Sequence, residues 1–239
     1  MKKLLLALLL APLAALASTE VPLDSLPSTP DSDRLPSLQR GAQTFVNYCL
    51  NCHSAAYQRY NRLTDLGLTE QQIKANLMFG TDKIGSTMTV AMDRKDAAAW
   101  FGAPPPDLTL EARVRGGDWL YTYLRGFYRD ETKPTGWNNV AFPNVGMPHV
   151  LWQLQGVQAA EHEGKESHGP VKLKLEQPGA QSATDYDRTV RDLVNFLVYL
   201  GEPAREARTR LGIVVVLFLA VVMLPLAYLL KKEFWKDVH

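Results

Sequence analysis

The chain has 239 residues, room for one sizeable domain with additions or for two small ones. Its 26 Lys+Arg stand against 25 Asp+Glu, a net charge of +1, which excludes the basic excess of a nucleic-acid binder. Only two cysteines are present, so in an oxidising compartment they form either a redox disulfide or the attachment of a cofactor.

In chain order, Lys2 and Lys3 precede the apolar stretch Leu4 to Leu16, and Ala15-Leu16-Ala17 is a small-x-small cleavage site. Residues 1–17 therefore read as a secretory signal peptide, cut before Ser18. Residues 18–37 are rich in Ser, Pro and Asp and read as an extended arm without a core of its own. From Leu38 to about Cys52 a helix is expected, with Gly41, Phe45 and Cys49 stacked on one face by their spacing of four. A second helix is expected from Thr69 to about Phe79. Residues 80–117, with Pro104-Pro105-Pro106, read as loop-rich backbone. Asp118 to Tyr128 reads as a short helix in which Trp119, Tyr123 and Phe127 repeat every four, and 129–150 returns to loop. Within the polar stretch 156–183, Val171, Leu173 and Leu175 alternate with Lys172 and Lys174, a strand or hairpin signal.

A last helix of the exported part, capped by Thr184 or Asp185, carries the stripe Tyr186, Val190, Leu193, Val194, Leu197 and Leu200. Gly201-Glu202-Pro203 interrupts it, and a juxtamembrane segment, 205–210, follows. Leu211 to Leu230 is then 20 residues without a charge, about 30 Å as a helix and so long enough to cross a bilayer. Pro225 lies inside this run, where a kink is expected. Arg205, Arg208 and Arg210 before the span balance Lys231, Lys232 and Lys236 after it, so the positive-inside rule is undecided. The signal peptide breaks the tie. It places the domain 38–204 in the periplasm and the tail 231–239 in the cytoplasm.

Long Gly/Pro-rich loops between few helices bury too little of themselves to hold one shape, and a large apolar cofactor would supply the missing core. Cys49-Leu50-Asn51-Cys52-His53 is the attachment pattern of a c-type haem. Two thiols at this spacing reach the two vinyl groups on one porphyrin edge, and the adjoining imidazole swings under the ring to the iron. Half a zinc site would need a second ligand pair, and a redox dithiol usually opens a helix after a strand rather than closing one. For the sixth ligand, with Met1 in the signal peptide and Met223 in the span, Met78, Met88, Met92 and Met147 remain. The Gly/Pro-rich loop Asn144-Val145-Gly146-Met147-Pro148 singles out Met147, with Met88 and Met92 as rivals and His149 behind them. A His/Met iron has no open position for oxygen chemistry and carries electrons. Arg113 and Arg115, between two Gly/Pro-rich turns, are candidates to pair with haem propionates.

Several stretches taken together resemble cytochrome c1, the haem subunit of the cytochrome bc1 complex. They are Cys49-x-x-Cys52-His53-Ser54 with Tyr57-x-Arg59-Tyr60-Asn61-Arg62-Leu63, Pro105-Pro106-Asp107-Leu108, and Arg113-x-Arg115-Gly116-Gly117. Tyr121, Tyr123, Leu124, Gly126 and Tyr128 follow, then the Gly146-Met147-Pro148 loop and Gly201-Glu202-Pro203 before one C-terminal helix. The stretch between Met78 and Pro104 is similar to the proteobacterial version. The ligand loop departs from the family's usual Met-Ala-Pro, reading Met147-Pro148-His149.

The resemblance implies a mainly α protein, a class I cytochrome c-like haem domain with long loops and one transmembrane helix. It implies a single covalently bound haem c with His53 and Met147 as axial ligands and Arg113 on a propionate. Pro105 and Tyr121 would then belong to the haem pocket. The implied function is that of a non-catalytic electron carrier within ubiquinol–cytochrome c oxidoreductase, in a bacterial inner membrane. It would take an electron from the Rieske iron–sulfur protein and pass it to a soluble cytochrome c, with cytochrome b beside the C-terminal helix. The alternatives are a free-standing membrane-tethered cytochrome feeding a terminal oxidase or reductase, and a thiol–disulfide oxidoreductase.

Overall fold

The computed structural model describes residues 22–162 and 171–237; the signal peptide expected over 1–17 lies outside the described residues. The framework is helical. Helix α1 (Asp31–Thr44) runs on into a wide π-type turn, Phe45–Cys49. After strand β1 (Ala55–Arg59) and the 3-10 turns Tyr60–Leu66 comes helix α2 (Glu70–Leu77). Thr69 caps α2 reciprocally with Gln72, the predicted start.

Next come strand β2 (Thr87–Met88) and helices α3 (Arg94–Phe101), α4 (Glu111–Arg115) and α5 (Gly117–Arg125). Strands β3 (Phe127–Arg129) and β4 (Trp137–Asn139), the one-turn helix α6 (Trp152–Gln155), and strands β5 (Gly156–His162) and β6 (Val171–Pro178) follow. Helix α7 (Ala183–Gly201) closes the domain. Among the described residues the strands form three two-stranded antiparallel ribbons, β1–β2, β3–β4 and β5–β6. The alternation read at Val171–Leu175 is the β6 half of the last one.

The core lies where α1 and α5 pack on α7. All six residues of the predicted α7 stripe are buried, with Phe196 added. Facing them are Leu38, Ala42, Phe45, Val46 and Cys49 from α1, and each fully buried apolar side chain contributes about 1.5–3 kcal/mol. The two helices cross with almost no gap. A Cβ at Gly41 would sit 2.1 Å from the Asp192 carbonyl oxygen and 2.8 Å from the Phe196 Cβ. Around that crossing the buried Asp192 carboxylate accepts from Ser37 Oγ at 2.6 Å and Arg40 Nε at 2.6 Å. Arg191 Nη2 bridges to Asp192 at 2.8 Å and to Asp33 at 3.1 Å.

That ionic cluster explains one difference from the sequence reading. The first helix starts at Asp31, inside the segment read as an extended arm. Asp31 and Asp33 favour a helix N-terminus, but Asp33 also finds Arg40 one face along and Arg191 on α7. Further elements interrupt what reads as loop. α3 and α4 lie within 80–117, with Asp93 capping α3 through bonds to Lys95 and Asp96 N–H, and β4 lies within 129–150. The cap of α7 is Ser182 rather than Thr184 or Asp185; its Oγ accepts from Asp185 N–H at 3.2 Å.

After Gly201 the helix is interrupted and the chain then enters a 30-residue helix, Arg205–Phe234, none of whose apolar window is buried within the protein. It contains the predicted span 211–230. The helix (α8, Arg205–Phe218, and α9, Leu224–Phe234) widens into a π-type turn at Leu219–Met223, just before Pro225. Proline has no N–H and its ring crowds the carbonyl four residues back. The wider turn accommodates both without ending the helix.

Candidate haem site

The cysteine motif forms where α1 runs out. Leu50 N–H still reaches five residues back to the Phe45 carbonyl at 2.9 Å, and the Cys49 carbonyl then accepts from Cys52 N–H at 3.0 Å and His53 N–H at 2.8 Å. One turn thus gathers Cys49, Cys52 and His53. Both thiols are free, Cys49 buried and Cys52 half-buried. Burial, with Cys52 beside it, pushes the Cys49 thiol up to about 12, and burial raises Cys52 as well. Thiol–disulfide exchangers work through a lowered thiol, so this pair is set the opposite way.

His53 is held by the Pro-Pro-Asp-Leu segment. Its Nδ1 lies 2.8 Å from the Pro106 carbonyl oxygen. A carbonyl only accepts, so the proton is on Nδ1 and the lone pair on Nε2 is left for a metal. Burial holds the imidazole below its ordinary range, against the opposing pull of the Pro106 bond and of the Glu111 and Asp107 carboxylates. The ring is therefore neutral, the form that ligates.

Prolines cannot donate, and the residues after them supply the remaining staples. Leu108 N–H donates to the Ser54 carbonyl at 2.8 Å. Asp107 Oδ2 accepts from Ala56 N–H at 2.8 Å and Oδ1 from Thr109 N–H at 2.9 Å. Ser54 Oγ accepts from Val90 N–H at 3.0 Å. Pro105 is half-buried next to the Pro106 carbonyl.

Met147 sits in a loop built by two asparagines that sequence reading passed over. Asn139, fully buried, donates through Nδ2 to the Tyr123 carbonyl at 2.8 Å and accepts at Oδ1 from Ala141 N–H at 2.9 Å and Phe142 N–H at 3.2 Å. Asn138 Oδ1 accepts from Asn144 N–H at 2.8 Å, and Lys133 Nζ donates to Asn144 Oδ1 at 2.7 Å. Asn144 has φ 62°, the left-handed region that asparagine tolerates better than most residues. Past this bend Met147 is half-buried, and its Sδ accepts from the Tyr123 hydroxyl at 3.4 Å. His149 is buried flat against Phe127, ring centroids 4.9 Å apart, with Trp137 edge-on.

The other predicted residues are distributed unevenly. Among the rival methionines, Met88 is fully buried in β2 opposite Ala55 and Met78 is buried in the core, so both are committed to packing. Met92 is half-buried outside regular structure. Arg113 is exposed on α4, its stem against Gly201, and its guanidinium has no ion pair among the described residues. Arg115 is already engaged, bonded to Glu111 at 3.2 Å and lying over the Trp119 ring. Tyr121 turns to the opposite face of α5 from Tyr123. It is buried, with the Arg125 guanidinium 4.5 Å from its ring. Trp119 and Tyr123 mark the face of α5 that meets the loop, but the helix ends at Arg125 and Phe127 lies in β3 rather than on the helix expected to run to Tyr128; only the tertiary structure shows Met147 beside Tyr123.

These donors fit a haem. Two unpaired thiols, a neutral imidazole with a free nitrogen and a half-exposed thioether are the groups such a cofactor takes up.

A sequence model of the Cytochrome C1 family matches residues 31–238. The chain belongs to the cytochrome c1 family. It is 53% identical to cytochrome c1 of Allochromatium vinosum, over 100% of both chains. It is 32% identical to cytochrome c1 of Rhodospirillum rubrum, covering 85% of this chain and 82% of the other. A Nitrosomonas europaea protein named ammonia monooxygenase gamma subunit is 52% identical, over 100% of this chain and 98% of its own. As a cytochrome c1 of proteobacterial type, the protein is a haem electron-transfer subunit of the bc1 complex. Its long apolar C-terminal helix suits the membrane anchor of such a subunit.

Proposed function

We propose that this cytochrome c1 takes single electrons from the Rieske iron–sulfur protein and passes them to a soluble cytochrome c, using one haem joined through thioethers to Cys49 and Cys52. The arrangement that carries the reading is the His53 turn, with Nδ1 bonded to the Pro106 carbonyl and Nε2 free. When bound, the haem supplies a one-electron iron couple. His53 and Met147 would ligate it, and Arg113, which has no carboxylate partner among the described residues, would pair with a propionate. Pro105 and Tyr121 are kept as pocket residues on the family resemblance alone.

The domain division follows the same reading with one shift, the haem domain beginning where α1 does, at Asp31 rather than Leu38: signal peptide 1–17, arm 18–30, haem domain 31–204, juxtamembrane segment 205–210, span 211–230 and tail 231–239. The haem domain faces the periplasm and the span packs beside cytochrome b in a bacterial inner membrane.

The test is a pyridine haemochrome spectrum of the purified membrane complex together with identification of its subunits. One c-type haem per chain, co-purifying with cytochrome b and the Rieske protein, is expected. A haem-bearing chain isolated alone would favour the free-standing tethered cytochrome. Recovery with monooxygenase subunits instead would overturn the assignment for this chain. Ligation by both His53 and Met147 would argue against an oxygen-activating role, since it would leave no open position on the iron.

A further inference from the structure

We infer that Tyr123 is a positioning residue for the Met147 sulfur and that its hydroxyl raises the reduction potential of the centre; this rests on Met147 being the sixth ligand. The observation is the Tyr123 hydroxyl 3.4 Å from Met147 Sδ, within reach of a hydrogen bond to sulfur. A thioether sulfur has two lone pairs. With the O–H directed at one of them, only the other is left for iron, so the same contact sets which face of the sulfur binds and how strongly it donates.

The phenol cannot easily swing away. Trp119 stacks on the Tyr123 ring at 4.9 Å and 11°, and Phe127 meets it edge-on at 5.1 Å. Arg115 covers the outer face of this stack, 4.8 Å from the Trp119 ring. The backbone on each side of the contact is also tied down. Asn139 holds the Tyr123 carbonyl, and His149, two residues beyond Met147, lies flat on Phe127. Tyr123, Phe127, His149 and Met147 thus close a ring of contacts in which the sulfur has little freedom relative to the hydroxyl.

A hydrogen bond to the sulfur withdraws electron density that would otherwise stabilise ferric iron. Hydrogen bonding around the ligands is one of the protein's main levers on haem potential. Tyr123→Phe keeps the ring, the stack and the volume and removes only the donor. One neutral hydrogen bond should shift the reduction equilibrium toward the ferric form about fivefold, which for one electron is about 40 mV downward.

The experiment is redox titration of the intact complex carrying Tyr123→Phe. The thioether-to-ferric-iron charge-transfer absorption is recorded in parallel. Tyr199→Phe, which removes a hydroxyl bonded instead to the Arg62 carbonyl, serves as control. A lowered potential with the absorption retained, and none in the control, is the result expected. An unchanged or raised potential with the absorption retained overturns the inference and leaves the ligand assignment standing. Loss of the absorption in the Tyr123 variant, with the fold intact, supports the positioning role and overturns the tuning of the potential through a retained thioether bond. Absence of the absorption in the unmodified complex refutes Met147 ligation itself.

Discussion

Replacing Gly41 by alanine probes the helix crossing on which the cysteine motif is mounted. The new Cβ would lie 2.1 Å from the Asp192 carbonyl oxygen. Carbon and oxygen need about 3.3 Å, so α1 and α7 must part locally by about 1.2 Å. Overpacking of this kind costs about 1–3 kcal/mol. The parting also stretches the bonds from Ser37 and Arg40 to Asp192, now 2.6 Å each, past the distance at which they count. The Ser37 bond to a buried carboxylate is worth about 1.5–3 kcal/mol. The Arg40 pair, half-exposed on the arginine side, adds under about 1 kcal/mol.

A loss of about 2.5–7 kcal/mol is a large share of the 5–15 kcal/mol typical of a domain. The assay is denaturant unfolding of the solubilised protein, with Gly80→Ala as the reference, since nothing lies within 4 Å of a Cβ there. If the two variants unfold within about 0.5 kcal/mol of each other, as exposed substitutions do, the reasoning about the crossing is wrong.

His53→Ala should leave thioether attachment possible while removing proximal ligation; an unchanged reduced spectrum would contradict the ligand assignment. Met147→Leu should retain the haem with a lowered potential and a substituted or open sixth position, read by redox titration and absorption; an unshifted potential would move the role to Met92, the rival not committed to packing. Asn139→Ala removes three hydrogen bonds from a fully buried site and should destabilise the loop by about 2–3 kcal/mol. Its signature would be faster ligand exchange at the iron, while an exchange rate equal to that of the unmodified protein would show that the asparagine does not hold the loop.

What could be read from the sequence was whatever one segment enforces by itself. Cys49, Cys52 and His53 lie within a stretch of five residues and carry their chemistry in their spacing. The apolar run inside Arg205–Phe234 needs only its own length to be a span, and the α7 stripe shows as a period of one helix. What stayed hidden depends on partners far along the chain. The helix begins at Asp31 because Asp33 meets Arg191, 158 residues away. Gly41 reads as one more member of a spacing of four until Asp192 is seen lying against it.

Tyr121 and Tyr123 are equally aromatic in the sequence, and only packing decides which faces Met147. Asn138 and Asn139 look like ordinary turn residues, yet one of them is fully buried and holds the loop. Periodicity and covalent spacing are local properties, whereas the partner of a polar atom is chosen when distant segments are brought together and the atom must be satisfied away from water.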